Sequence, residues 1–540
     1  MRVFNALSNS TAPRKCQLAL FATLVLSLSA IFQLTHSQDR KCRVRISLVD
    51  AKTNNPIPGV IRSSLVDNPQ AIPIAGLLPR GQGIGLVELR QQRKVEKSSI
   101  HEWYVLGNSR EILLPRKMVR LVAFSGLETE SKSLSLDLTD RNETSITIPL
   151  RPFSNLAQKS WFGGNTHLHL FGLSREQSDA YLGQVPMADR LDILFLSHVK
   201  RPSEDSDYIS NSYPVGDLRD LQESRVLVSN GEEHRNNFQS FGEGYGHVIL
   251  LNIRSLIEPV SIGPGITGQG SDGIPLQVGI DEAHRQGGVA IWCHNNSGTE
   301  AVPSAVSGKL DALNIFDGVS LERYEDSFYH YLNAGLRVPF STGTDWFIYD
   351  LSRVYTQVRG RLEIKSWLDA LAAGRSFITN GPVFDFNVDG KGIGDSVNVS
   401  SGQEVTISGE VRGRLDFGRL ELVHNGRVID HITSRARDVH FFASLRRSVK
   451  IEVPSWLALR VSSQTKSEYG QPLFGHTSPI YVTVSGKSIR IQQEVDYLIE
   501  RMLAAQRIVS TRAVFGTPEE RARILAIYRR SIDKLRQESH

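Results

Sequence analysis

The stretch Trp161-Phe162-Gly163-Gly164-Asn165-Thr166-His167-Leu168-His169 ends in two histidines two residues apart. Residues two apart on a strand point to the same face, so His167 and His169 can present both imidazoles to one ion. A single His-x-His is weak evidence, because two exposed strand histidines give the same pattern. What strengthens it is the series of strand-end polar residues that follows. The apolar run Leu191 to Leu196 ends at Ser197-His198, and Val226-Leu227-Val228 leads to Asn230-Gly231-Glu232-Glu233. Gly246-His247 precedes Val248-Ile249-Leu250-Leu251, Val289 to Cys293 delivers His294, and Val338 to Thr344 delivers Asp345. Eight of the fifteen histidines fall between Trp161 and Asp345. Buried imidazoles and carboxylates need partners, and a divalent ion satisfies several at once.

Around this series, apolar runs of strand length alternate with helical stretches from about Ser160 to Pro382. Pro275 to Gln286 reads as a helix stopped by Gly287-Gly288, and Ser366 to Ala373 as another. The alternation predicts a βα architecture, a barrel or a doubly wound sheet, with function at the carboxyl ends of its strands. Both flanks change to period-2 runs. Residues 42–155 contain Val44-Arg45-Ile46-Ser47-Leu48-Val49 and Ile146-Thr147-Ile148-Pro149-Leu150, with turn signals at Asn54-Asn55-Pro56 and Asp67-Asn68-Pro69, and are expected to form an antiparallel β-sandwich. Residues 385–485 repeat the pattern in Glu404-Val405-Thr406-Ile407 and Leu420-Glu421-Leu422-Val423, giving a second sandwich. The tail, 488–540, turns helical: Ile491, Val495, Leu498, Ile499 and Met502 fall at helical spacing, and Thr517-Pro518-Glu519-Glu520 has the form of a capping box opening a second helix. This hairpin is expected to serve packing or assembly, including a homo-oligomer.

The 540 residues are 40% hydrophobic and 22% charged, an ordinary globular composition with room for three or four domains. The pI is near 9.0, but the net charge of +5 is spread along the chain and lacks the local footprint of a nucleic-acid binder. Arg2, Arg14 and Lys15 precede an uncharged run from Leu18 to Phe32 and then Thr35-His36-Ser37, the form of a secretory signal peptide over 1–37. Its removal takes the net charge of +5 to +2. An uncleaved anchor is the alternative, with a run short for a hydrocarbon core of ~30 Å. A secreted or periplasmic protein with no stable membrane span after leader removal is expected. Only Cys42 and Cys293 remain beyond the leader, and Cys293 falls in a buried-strand run, so no disulfide is expected.

Taken in order, the motifs resemble the PHP (polymerase and histidinol phosphatase) superfamily and, within it, the CehA/McbA family of metallohydrolases, over about Trp161 to Gly390. The segment Leu371-Ala372-Ala373-Gly374-Arg375-Ser376-Phe377-Ile378-Thr379-Asn380-Gly381-Pro382, with Val388-Asp389-Gly390 and Gly394-Asp395 after it, is similar to the one that closes that family's catalytic domain. The resemblance implies a multidomain α/β plus β fold: a PHP-like distorted βα barrel over 160–384 between two β-sandwiches. It implies one metal held by His167, His169 and Asp345 and a second by His247 and His294, bridged by Glu233, with Glu232 in that role if the register differs by one. His198 matches the family's strand-end histidine, although the preceding residue is Ser197 where the wider superfamily often has Asp. Two further histidines of three-metal members are replaced by Phe347 and Arg175. His198 is then either a ligand of a two-metal centre or an acid beside it.

Two divalent ions lower the pKa of water and polarise a substrate oxygen. The expected activity is therefore metal-dependent hydrolysis of an ester-like bond in a small-molecule or other ester-containing substrate: carboxyl ester, carbamate, amide or phosphoester. Glu233 would position the ions and His198 would shuttle a proton. Zn²⁺ or Mn²⁺ suits a mixed imidazole and carboxylate shell. Strand alternation turns Cys293 away from His294, so it is not counted as a ligand. Trp346, Arg353, Tyr355 and Arg375 either line a substrate pocket or serve as packing and salt-bridge residues. The competing expectations are a PHP-type phosphoesterase and a non-catalytic binding protein whose metals stabilise the central region; no nucleic-acid partner is expected.

Overall fold

A computed structural model describes residues 41–91, 99–199, 208–238, 244–317 and 324–537. The leader lies outside the described residues. The chain is mostly β-sheet, arranged in several sheets with a few helices and a C-terminal helical pair.

In the N-terminal part, Arg110–Pro115, Lys41–Asp50 and Glu143–Leu150 form one sheet. Tyr104–Leu106, Gly59–Leu65, Met118–Phe124 and Lys132–Asp137 form another. Both sheets enclose one core that includes Val44, Ile46, Ile61, Val119, Leu121 and Ile148. The alternation of exposed and buried residues along Lys41–Asp50 is what period-2 patterning produces. The expectation of a purely antiparallel arrangement fails at one pairing, since Lys41–Asp50 runs parallel to Glu143–Leu150. These strands are far apart in sequence, so no hairpin forces opposite directions.

In the central part, Trp161–His169 pairs in parallel with Ile193–Val199, which pairs in parallel with Leu227–Asn236. Gly246–Leu251 then runs antiparallel to both Leu227–Asn236 and Val289–Trp292. Val289–Trp292 leads by parallel pairings to Ala312–Asn314 and Phe340–Ser341. The short strand Asp345–Trp346 returns beside Leu168 and His169. These strands are buried along nearly their whole length, Leu194, Phe195, Leu196, Ile249 and Ile291 completely, as expected where both faces are covered. The helix Leu276–Arg285 starts after Pro275, and Gly287 follows its end in the left-handed region at φ 87°. Ile364–Ala372 forms the second expected helix, with Trp367 buried and its indole donating to Phe162 O.

The C-terminal β-region has a five-stranded antiparallel sheet built on Val383–Val388, Gln403–Gly413 and His440–Ile451. Against it lie Arg419–His424, Ser455–Ser462 and Ile480–Val484, and the layers share Val405, Ile407, Leu420, Leu422, Leu457 and Leu459 in one core. The 384/385 boundary is crossed by backbone hydrogen bonds, because Ser376–Thr379 pairs with Gly475–Thr477.

Helices Gln492–Arg512 and Pro518–Gln537 lay Val495, Leu498, Met502, Ile524, Tyr528 and Leu535 into the core of the central strands. Full burial of each such side chain stabilises by roughly 1.5–3 kcal/mol, so the apolar stripe of the tail is used within the chain. The Tyr528 hydroxyl donates to Thr299 Oγ1 at 3.0 Å. Thr517 caps the second helix by accepting from Glu520 N, while the Glu520 carboxylate takes Gly516 N–H. Among the described residues no helix is long and apolar enough to cross a membrane.

Candidate metal centre

His167 and His169 stand on one strand with their rings nearly perpendicular and their Nε2 atoms 3.0 Å apart. Each Nδ1 is already engaged. His169 Nδ1 lies 3.1 Å from the Ser197 carbonyl, and His167 Nδ1 lies 2.8 Å from Asp317 Oδ2. Carbonyl and carboxylate oxygens only accept, so both Nδ1 atoms carry the proton, and in the neutral rings two Nε2 lone pairs face each other. Glu233 adds negative charge, with Oε2 2.9 Å from His169 Nε2 and Oε1 3.1 Å from His247 Nδ1. His294 repeats the arrangement: Nδ1 donates to Asp317 Oδ1 at 3.1 Å, and Nε2 lies 3.2 Å from His247 Nδ1. Asp345 Oδ1 is 3.3 Å from His167 Nε2 and 3.7 Å from His169 Nε2, while its Oδ2 is buried with no hydrogen-bond partner among the described residues.

The backbone is shaped to allow this convergence. A Cβ at Gly343 would lie 2.5 Å from His167 Cβ, so only glycine lets the incoming segment pass so close. Thr344 N then donates to His167 O and Phe347 N to His169 O, which holds Asp345 beside the imidazoles. Asp345 and Phe347 both adopt left-handed backbone, at φ 60° and 49°. Such conformations are uncommon outside glycine and persist where the surroundings enforce them.

The groups pull each other's protonation in opposite directions. Burial disfavours the charged form of His247, bringing its pKa down to about 4, and also lowers that of His169. Burial works the same way on His167 and His294, but the neighbouring carboxylates outweigh it. Asp345, Asp317 and Glu233 raise His167, and Asp317, Asp345 and Glu233 raise His294 to about 10. Burial raises Asp345, whereas for Glu233 the opposing effect of burial is overcome by Arg235, His169 and His247, which hold its carboxylate well below the usual range. Asp317 is likewise lowered, with His294 and His167 overcoming burial.

No family model, curated protein or solved structure matches this chain. The donor set therefore speaks through its own chemistry. Among the described residues, three groups have a potential ligand atom from each member within 4.8 Å of the others: His167, His169 and Glu233; Glu233, His247 and His294; and His167, Cys293 and Asp317. Facing imidazole lone pairs, adjoining carboxylates and the orphaned Asp345 oxygen fit a divalent cation, which replaces repulsion by attraction.

Of the residues singled out in the sequence, His167, His169, Glu233, His247, His294 and Asp345 are brought together. Glu232 is turned elsewhere, its carboxylate meeting His234 Nε2 at 3.1 Å and accepting Ile257 N–H. The parallel register sets His198 opposite Glu232, and His198 belongs to none of the three ligand groups. Trp346 is partly buried, opposite His169 across the short ladder. Arg353 and Tyr355 belong to the other end of the His167 strand. Tyr355 pairs with Gly163, four residues and about 13 Å before His167. Arg353 is buried against the Asp189 carbonyl, and Tyr355 stacks on Phe377 at 4.9 Å. Arg375 sits at that same end, donating to Gln357 O. Arg175 pairs with Asp179 on an exposed helix face, and Phe347 packs on Phe171 and Tyr181.

The orientation expected of Cys293 is corrected. Its thiol falls in a ligand group with His167 and Asp317 because the regular strand ends at Trp292 and His294 adopts φ 54°, so alternation no longer governs side-chain direction. Burial raises the thiol well above its ordinary pKa. Among the described residues, Cys42 and Cys293 are both free thiols.

Sequence reasoning missed Asp317 and Arg235. Asp317 follows the very short strand Ala312–Asn314, whose run of three residues gave no strand signal. Arg235 stands two residues after Glu233 on the same strand, 7% exposed, with Nε 3.6 Å from Glu233 Oε2. The spacing that picked out His167 and His169 would have found it.

Proposed function

We propose that this protein is an exported metal-dependent hydrolase of the PHP superfamily, close to the CehA/McbA family, with a two-metal centre acting on an ester-like bond. The observation that carries the reading is the convergence of His167, His169, His247 and His294 on Glu233 and Asp345, with three of the four imidazoles carrying their proton on Nδ1 through bonds to Asp317 and Ser197. His167, His169 and Asp345 would hold one ion and His247 and His294 the other, with Glu233 reaching both sets. Zn²⁺ or Mn²⁺ suits these nitrogen and oxygen donors. Bound ions would supply Lewis-acid polarisation of the substrate oxygen and acidification of water.

The chain's own part is positional and electrostatic. Glu233 keeps its negative charge between the two histidine pairs. Glu233 is buried where water competes weakly, so its charge acts at low effective dielectric. The phosphoesterase reading draws support from one observation, the buried Arg235 guanidinium beside Glu233, a fixed cation suited to an anionic ester.

Metal analysis of the purified mature protein, followed by chromogenic carboxyl-ester, carbamate, amide and phosphoester substrates, tests the reading. About two ions per chain and turnover on one class are expected. Intact metal content with no turnover on any class would favour a metal-stabilised binding protein, and no metal after loading would remove the centre altogether.

A further inference from the structure

Asp317 is fully buried and touches both halves of the cluster. Its Oδ2 accepts from His167 Nδ1 at 2.8 Å and from Asn314 Nδ2 at 3.0 Å. Its Oδ1 accepts from His294 Nδ1 at 3.1 Å and from the His294 backbone N–H at 2.7 Å. Each oxygen thus serves two donors, one of them an imidazole from a different half.

The carboxylate is fixed from several sides. Asn314 Oδ1 accepts from Thr166 Oγ1, the neighbour of His167. Asn295, next to His294, returns the contact by accepting Phe316 N–H at 2.7 Å. His294, Asn295 and Phe316 all hold left-handed backbone, at φ 54°, 51° and 62°. Two strained turns are therefore locked to each other, with Asp317 at the junction.

We infer that Asp317 is the shared positioning residue of both halves of the centre: one carboxylate fixes the Nδ1–H tautomer of His167 and of His294 and leaves each Nε2 free to coordinate. Carboxylates bonded to the far nitrogen of a ligating histidine set ring orientation and basicity in this way. Here one such carboxylate serves both metals, so damage at a single non-ligating residue spreads to both sites. The inference rests on the two-metal reading above.

An amide makes the consequence specific. Asn at 317 has one acceptor oxygen, so its NH₂ must face one of the two imidazoles. That donor-to-donor clash is relieved when the imidazole proton moves to Nε2, which removes the coordinating lone pair. Asp317→Asn then impairs one half, whereas Asp317→Ala strips the partner from both.

The test uses the full mature chain. Zn²⁺ binding is followed by calorimetry and Co²⁺ binding by its visible absorption, while histidine-selective ¹⁵N labelling reports tautomers in the metal-free protein above pH 10, where the His294 ring is neutral. Wild type is expected to show Nδ1–H on His167 and His294 and two metal sites. D317A should weaken both sites by about 10- to 100-fold. D317N should weaken one and move one imidazole to the Nε2–H tautomer. Loss of one metal only in D317A would mean that Asp317 is a direct ligand and would overturn the inference, as would two wild-type sites in D317N. Should the variants fail to fold, an Nε2–H tautomer on either histidine in wild type still refutes it. Wild type that binds no metal but keeps both Nδ1–H tautomers refutes the two-metal reading and leaves the positioning contact standing.

Discussion

Replacing Gly343 by Ala separates the geometry of the centre from its chemistry, because it adds one methyl group and removes no donor. The new Cβ would lie 2.5 Å from His167 Cβ, 2.7 Å from its N and 2.9 Å from its Cα. Ordinary contact between such atoms begins near 3.5 Å, so the segment carrying Asp345 and the strand carrying His167 must part by about 1 Å. Overpacking of this kind costs about 1–3 kcal/mol. The displacement also exceeds the ~0.2 Å tolerance of metal–ligand distances several-fold. Nε2 of His167 now stands 3.3 Å from Asp345 Oδ1, and that pair separates first. Zn²⁺ affinity at the His167 half should fall 10- to 100-fold, about 1.4–2.7 kcal/mol. Calorimetric titration with Zn²⁺ reads this directly, with far-ultraviolet circular dichroism confirming the fold. Gly183→Ala is the control, since a Cβ there meets nothing within 4 Å. Wild-type affinity in a folded G343A variant would refute the argument that close backbone approach at Gly343 builds the centre.

Other outcomes follow from the same geometry. The His294 pKa, raised to about 10 by Asp317, Asp345 and Glu233 against the effect of burial, means that its contribution to metal-free stability is full below about 6.5 and is lost as pH rises through about 10. Denaturant titrations across that window should show the decline, and His294→Ala should flatten it; an unchanged slope would contradict the assignment. Because coordination needs the neutral ring, metal uptake at pH 7 should release a proton, read as a buffer-dependent heat that disappears above pH 10. Tyr355→Phe and Arg375→Gln should leave metal content and KM unaltered, and a raised KM in either would return those residues to the substrate pocket. Tyr528→Phe removes the bond to Thr299 and should cost about 0.5–1.5 kcal/mol by chemical denaturation without changing metal stoichiometry; a shift in stoichiometry would tie the tail to the centre.

Period made much of the architecture legible. Two-residue alternation marked the flanking strands from Val44 to Ile148 and from Val405 to Leu459, and continuous apolar runs marked the buried central strands at Leu194–Leu196 and Val289–Trp292. Helical spacing marked the tail, whose stripe of Val495, Leu498 and Met502 is buried as the pattern implies. Direction and partnership were not legible. Nothing in Lys41–Asp50 says that it runs parallel to Glu143–Leu150, and nothing in Ser376–Thr379 says that it pairs with Gly475–Thr477. Both pairings join segments remote in sequence, where no short turn restricts the choice.

The sequence by itself set histidines and carboxylates at a series of strand ends, because period and apolar runs locate those ends. The grouping of His167, His169, Glu233, His247, His294 and Asp345 into one set, with Glu233 preferred to Glu232, came from the resemblance to a known family. Only the tertiary structure decided what lies behind those residues and which way irregular backbone turns. Asp317 reaches His167 and His294 from a loop remote from both. Cys293 faces the cluster because the chain leaves the strand at His294, and Arg353 and Tyr355 fall at the far end because an antiparallel register puts Tyr355 opposite Gly163. Contacts of this kind depend on chain crossings and left-handed turns, whose geometry is set by the packing of the whole fold and leaves no periodic trace in the residues themselves.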